Sequence, residues 1–149
     1  MGGEHFCFTD KPLSIERAYT LTAAPASGAV VTMVGTVRAS TGGRAVAFLD
    51  YEAFEPMALD VFAQIARQIR ERWPATGNIV IHHRLGRLMV GEASVIIAVG
   101  NAHRADAFAA CQYAIDTLKL DAPIWKKEHW ADGDSDWVVG LAVLTEPST

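Results

Sequence analysis

A chain of 149 residues, half of them apolar, can bury one sizeable core but hardly two, so a single domain over 1–149 is expected. The net charge of −4 argues against a general nucleic-acid binder, and no apolar stretch approaches the roughly 20 residues needed to span a bilayer. An acidic chain of this kind can hold an anion only through a local cluster of basic residues.

Residues 1–27 read as an irregular N-terminal segment punctuated by Pro12 and Pro25, inside which Ser14, Glu16 and Arg17 can open a short helix. The segment Met1–Asp10 lacks the basic start and apolar middle of a signal peptide, and Cys7 and Cys111 sit in no C-x-x-C pattern. Both features fit a cytoplasmic protein. Ala29 to Val37 is β-branched and reads as a buried strand; a loop over Ala39 to Arg44 leads into a second strand, Val46 to Phe54. Glu55-Pro56 starts a helix whose Met57, Val61, Phe62, Ile65 and Ile69 recur at helical spacing as far as Arg72. Strands follow over Asn78 to Leu85, Leu88 to Val90 and Ala93 to Val99.

Asn101 is placed to cap a second helix, about Ala102 to Lys119, with Phe108, Cys111, Ile115 and Leu118 as its apolar stripe. Pro123 prevents continuation, and Ile124 to Trp130 and Trp137 to Leu144 read as closing strands around the Asp132-Gly133-Asp134 turn. Residues 145–149 are expected to be a flexible tail. Two main helices among mixed, largely antiparallel strands, without regular alternation, indicate an α+β fold.

Four places in this pattern could carry chemistry. His103 and Arg104 lie where a strand passes into a helix, so backbone N–H groups, the helix dipole and a guanidinium can converge on a phosphate. The same residues also suit an ordinary, solvated helix start. Lys119 ends the helix and Lys126 follows across the Pro123 corner, so a reversal there can bring both ammonium groups to one pocket, where burial and mutual repulsion favour a neutral amine. The plain alternative is a lysine complementing a helix C-terminus and a charged edge strand. Arg38 follows a buried strand and precedes a glycine-containing loop; Arg44 is a weaker candidate of the same kind.

The adjacent His82 and His83 point to opposite faces of a strand and cannot share a metal, and His5 and His129 have no ligand partner at suggestive spacing. No metal or cofactor is expected. Asp50, Glu52 and Glu55 read as surface carboxylates. Absence of the P-loop, dinucleotide and G-x-S-x-G signatures removes support for nucleotide hydrolysis, dinucleotide binding and serine-type hydrolysis.

Taken together, Gly28-Ala-Val-Val-Thr-Met-Val-Gly-Thr-Val-Arg38, Leu49-Asp-Tyr-Glu-Ala-Phe-Glu-Pro-Met-Ala58, Ile81-His-His-Arg-Leu-Gly86, Gly100-Asn-Ala-His-Arg104 and Leu118-Lys-Leu-Asp-Ala-Pro-Ile-Trp-Lys-Lys-Glu128 resemble the large, catalytic subunits of molybdopterin synthase, the MoaE family. The resemblance implies an α/β-hammerhead fold and a homodimer. Each copy would bind a small ubiquitin-like (MoaD-like) sulfur-carrier subunit, making a heterotetramer. The carrier's C-terminal Gly-Gly thiocarboxylate would enter a pocket and give two sulfurs, in turn, to cyclic pyranopterin monophosphate, making molybdopterin. It also implies the roles: Lys119 beside the thiocarboxylate, Lys126 as second catalytic lysine, and Arg38, His103 and Arg104 on the pterin and its phosphate, the last two from across the dimer. Departures are Met33 for a frequent Phe, Ile115 for Met, and Val139-Gly140-Leu141 where family members often carry an arginine, a contact that Arg44 or Lys127 could replace.

Overall fold

Residues 2–139 and 142–144 are described by the structure, a computed structural model. In chain order the elements are β1 (Glu4–Thr9), α1 (Ile15–Thr22), β2 (Ala29–Thr36), β3 (Ser40–Thr41), β4 (Arg44–Ala53), α2 (Glu55–Arg72), β5 (Thr76–Arg84), β6 (Gly86–Met89), β7 (Ala93–Asn101), α3 (Arg104–Asp121), β8 (Ile124–Trp130), β9 (Ser135–Val139) and β10 (Ala142–Leu144). The strands form two sheets. One has the order β1-β5-β7-β2, with only β1 parallel to its neighbour; the other runs β10-β9-β8-β4-β3, with β6 also paired to β4. The fold is thus α+β with mixed strands, as expected.

Strand alternation explains how the first sheet is covered. Ile79 and Ile81 of β5, with Ile97 and Val99 of β7, pack against Phe62, Ile65 and Ile69 of α2 and Ala110, Cys111 and Ala114 of α3. The intervening Val80, Ile96 and Ala98 form a separate cluster with Ala18 of α1 on the other face. A smaller core of Val37, Val46, Leu49, Leu88 and Trp130 belongs to the second sheet.

Three expectations are corrected. The N-terminal segment is not irregular: among the described residues it holds β1 and α1, the latter joining the two main helices. In β1, Phe6 and Phe8 face the core, with ring centroids 5.9 and 5.4 Å from that of Phe62, and this apolar alternation is what binds the strand. The helix start at Ser14 does form, its side chain accepting from Arg17 N–H at 3.1 Å. The loop before Arg44 is a hairpin instead, since Gly42 and Gly43 both adopt positive φ (58° and 82°), the conformation of a two-residue turn between twisted strands.

The third correction concerns α3. It begins at Arg104 with His103 as the cap residue, and the Asn101 side chain instead accepts from His103 N–H at 2.8 Å while its amide reaches Thr76 Oγ1. Its buried face is built from Ala107, Ala110, Cys111, Ala114 and Leu118, whereas Phe108 is 63 % exposed. Small side chains let the helix lie close on β7, so the bulky Phe108 is turned outward. The expected tail, residues 145–149, lies outside the described residues.

Candidate active site

A cavity of about 490 Å³ opens where the α3 face of the first sheet meets the edge of the second. Met33 and Gly35 of β2, His83 of β5 and Val95 of β7 line one side; Tyr51 of β4 and Ile124, Trp125 and Lys126 of β8 line the other. The end of α3 contributes Leu118 and Lys119, and Arg38, just beyond β2, completes the rim.

The reversal that joins α3 to β8 puts the two lysines here. Ala122 N–H donates to Leu118 O to close the helix, Ile124 N–H donates to Ala122 O, and Pro123 offers its carbonyl to Phe54 N–H at 3.1 Å. These three bonds fix the corner, and Lys126, opposite Tyr51 in the β4–β8 register, then faces the cavity. Arg38 is held by its neighbour: Val37 is buried, and its backbone bonds to Glu92 and Gly91 on both sides. Arg38, Lys119 and Lys126, three residues singled out from sequence, therefore share one cavity.

The electrostatics agree. Burial holds the Lys126 ammonium below its ordinary range; the positive charges of Lys119 and Arg38 push the same way, and Glu128 opposes them. Glu128 is 3 % exposed and its carboxylate lies 3.5 Å from Lys126 Nζ. An amine so placed binds anions when charged and acts as a nucleophile or proton acceptor when neutral.

Glu128, His83 and Tyr51 went unassigned in the sequence reading. His83 Nδ1 lies 2.8 Å from the Arg84 carbonyl, which can only accept, so Nδ1 carries the proton and Nε2 is left as an acceptor. Burial lowers its pKa to about 4, making it a neutral imidazole, and its ring meets Tyr51 edge-on at 5.0 Å. The alternation of β5 was the available signal: His83 continues the inward face of Ile79 and Ile81.

His103 and Arg104 are elsewhere. Both are exposed and line a second, shallower hollow of about 340 Å³ with Gly28, Ala102 and Ala105. Val95 at the main cavity and Asn101 beside this hollow stand six positions apart along β7, or roughly 20 Å at ~3.3 Å per residue. One copy of the chain does not join them to the lysines.

Arg44 and Lys127 do not line the cavity either. Arg44 is drawn to Asp132, Asp134 and Asp136 and lies over the Trp130 ring, and Lys127 lies over Trp137. Of the three carboxylates read as surface groups, Asp50 binds Arg87 and His129 while Glu52 accepts from Trp125 Nε1. Gly140 and Leu141, in the stretch that lacks the family arginine, fall outside the described residues.

Fold and cavity together define an α+β protein with a lysine-centred cationic site. The profile of the MoaE protein family matches residues 8–121. A Nostoc sp. protein described as molybdopterin synthase catalytic subunit is 58 % identical over 135 residues, 91 % of this chain and 82 % of its own length. Its Bacillus subtilis counterpart is 43 % identical over 91 % of this chain and 85 % of its own. The crystal structure of molybdopterin synthase from Staphylococcus aureus superposes with a TM-score of 0.83 at 43 % identity, covering 88 % of this chain and 94 % of that one. The chain belongs to the MoaE family.

Proposed function

We propose that this chain is the catalytic subunit of a molybdopterin synthase and works as a sulfurtransferase. It would move two sulfurs, one at a time, from the C-terminal thiocarboxylate of a small ubiquitin-like carrier to cyclic pyranopterin monophosphate. The observation that carries the reading is the meeting of Arg38, Lys119 and Lys126 in one cavity of an otherwise acidic chain. Family membership supports a place in molybdopterin synthesis.

The two reactants are both anions, and the cleft offers separate cations for them. Lys119, on the exposed lip of the helix end, orients and activates the incoming acyl–sulfur group. Lys126, deeper and less readily protonated, takes up or returns a proton at the pterin side chain and stabilises charge there. Arg38 holds the substrate phosphate, for which a guanidinium is suited by its parallel donors. Each delivery leaves the carrier's tail as a carboxylate, with oxygen in place of the sulfur given up.

His103 and Arg104 serve the same substrate only if a second copy brings them. Their separation from the lysines within one chain supports a homodimer in which each cleft is completed by its neighbour. The test is a reconstituted assay with a thiocarboxylated carrier and the cyclic pterin, following molybdopterin formation. Lys119→Ala should abolish product and Lys126→Ala should reduce it severely, both with unchanged circular dichroism. Full activity in both variants would overturn the reading.

A further inference from the structure

A second group of chemically capable side chains lies on the face of the first sheet that the cleft does not use. His5 and Cys7 alternate onto one face of β1, and the parallel pairing with β5 makes Cys7 the direct neighbour of His82. His83 points the other way, into the cavity. One donor atom each from His5, Cys7 and His82 lie within 4.8 Å of one another, and His5 Nδ1 is 2.8 Å from His82 Nε2. We propose that His5, Cys7 and His82 form a binding site for a divalent transition-metal ion of the zinc class.

The donor set fits such an ion. Zn²⁺ takes imidazole nitrogen at ~2.0–2.1 Å and thiolate sulfur at ~2.3 Å, so tetrahedral ligands stand roughly 3.3–3.6 Å apart. The imidazole pair has to open by about half an ångström to reach that spacing. Two hydrogen-bonded strands hold all three donors, so little chain entropy is lost on binding. His82 is buried whereas His5 and Cys7 are partly exposed, which gives the ion a way in and leaves the fourth position to water.

The proton balance is simple. Cys7 releases its thiol proton to solvent, and the proton between the two rings moves to the remote nitrogen of its own ring. Burial pushes the Cys7 thiol up, and the Arg17 guanidinium on α1 pulls it down. The ion supplies the larger pull towards thiolate. Burial, with the nearby His5 and Arg17, lowers the His82 pKa to about 4, so it is neutral and has a lone pair to offer. A bound ion would clamp β1 to β5, the strand that supplies His83 to the cleft.

The test uses the full chain, stripped with a chelator and titrated with Zn²⁺ and, separately, Co²⁺. One equivalent should bind, Zn²⁺ should raise the melting temperature, and Co²⁺ should show a thiolate-to-cobalt charge-transfer band. Cys7→Ser should lose the band and Cys111→Ser should keep it. His5→Ala should weaken Zn²⁺ binding by at least about tenfold, since even outer-shell changes cost that much. Both β1 variants are checked for folding by circular dichroism in the metal-free state. Absence of stoichiometric binding overturns the proposal, as does binding that Cys7→Ser and His5→Ala leave unchanged.

Discussion

Replacing Glu128 by glutamine removes a buried charge beside the cleft's Lys126 while keeping the side chain's volume. The Glu128 side chain is 5 % exposed and its carboxylate lies 3.5 Å from Lys126 Nζ, on a side chain 25 % exposed. At an effective dielectric of about 20, unit charges at that distance attract by about 5 kcal/mol. Desolvation offsets much of this, and breaking a buried pair from one side costs about 3–5 kcal/mol. Lys126 keeps some contact with water and can shed its proton when unpaired, which brings the expected loss to about 2–3 kcal/mol. For a chain of this size the melting temperature should fall by roughly 4–10 °C. Differential scanning calorimetry at pH 7 and low salt measures it. Adding inorganic phosphate should then raise the melting temperature of Glu128→Gln more than that of the wild type, because the cleft has lost its opposing charge. An unchanged melting temperature together with an identical phosphate response would refute the role assigned to the pair.

Three other outcomes are expected. Arg38→Ala should weaken phosphate-dependent stabilisation, whereas Arg44→Ala should leave it intact and cost less than about 1 kcal/mol, since Arg44 is engaged in an exposed carboxylate cluster outside the cavity; thermal shift with and without phosphate separates them. Lys126 in the folded chain gives up its proton at a pH where the unfolded chain keeps it until near 10.5. Stability contributed by this group therefore rises with pH through that interval, and Lys126→Met should flatten the rise in melting curves taken at alkaline pH. Phe62, fully buried between Phe6 and Phe8, should cost about 3–5 kcal/mol when cut to alanine, read by urea unfolding.

Much of this molecule could be read in one dimension. Helix α2 follows from the spacing of Phe62, Ile65 and Ile69, and the Pro123 corner left open a meeting of Lys119 and Lys126 that the fold realises. Other features depend on partners remote in sequence. The alternation of Phe6 and Phe8 with His5 and Cys7 is a strand signal, yet short and crowded by polar neighbours, and only pairing with β5 reveals it. That same pairing gives His5 the neighbour that spacing alone denied it. Phe108 misled because a helix rich in alanine has two faces able to pack, and the tighter one won. The separation of His103 and Arg104 from the lysines of the same chain is set by the length of β7, which spacing in sequence does not convey.

The corner at Ala122–Pro123 also governs how this chain can vary in length. Side chains of a strand alternate between faces, so one residue inserted between α3 and β8 would turn every later position over. Lys127 would then take the inward place of Lys126, whose amine would be turned away from the cleft. The Asp132–Asp134 turn, at the far end of the same strand and open to solvent, follows β8 and so does not set which of its faces meets the cleft. Gain or loss of a residue should therefore cost the cleft far more at the proline than at that tip.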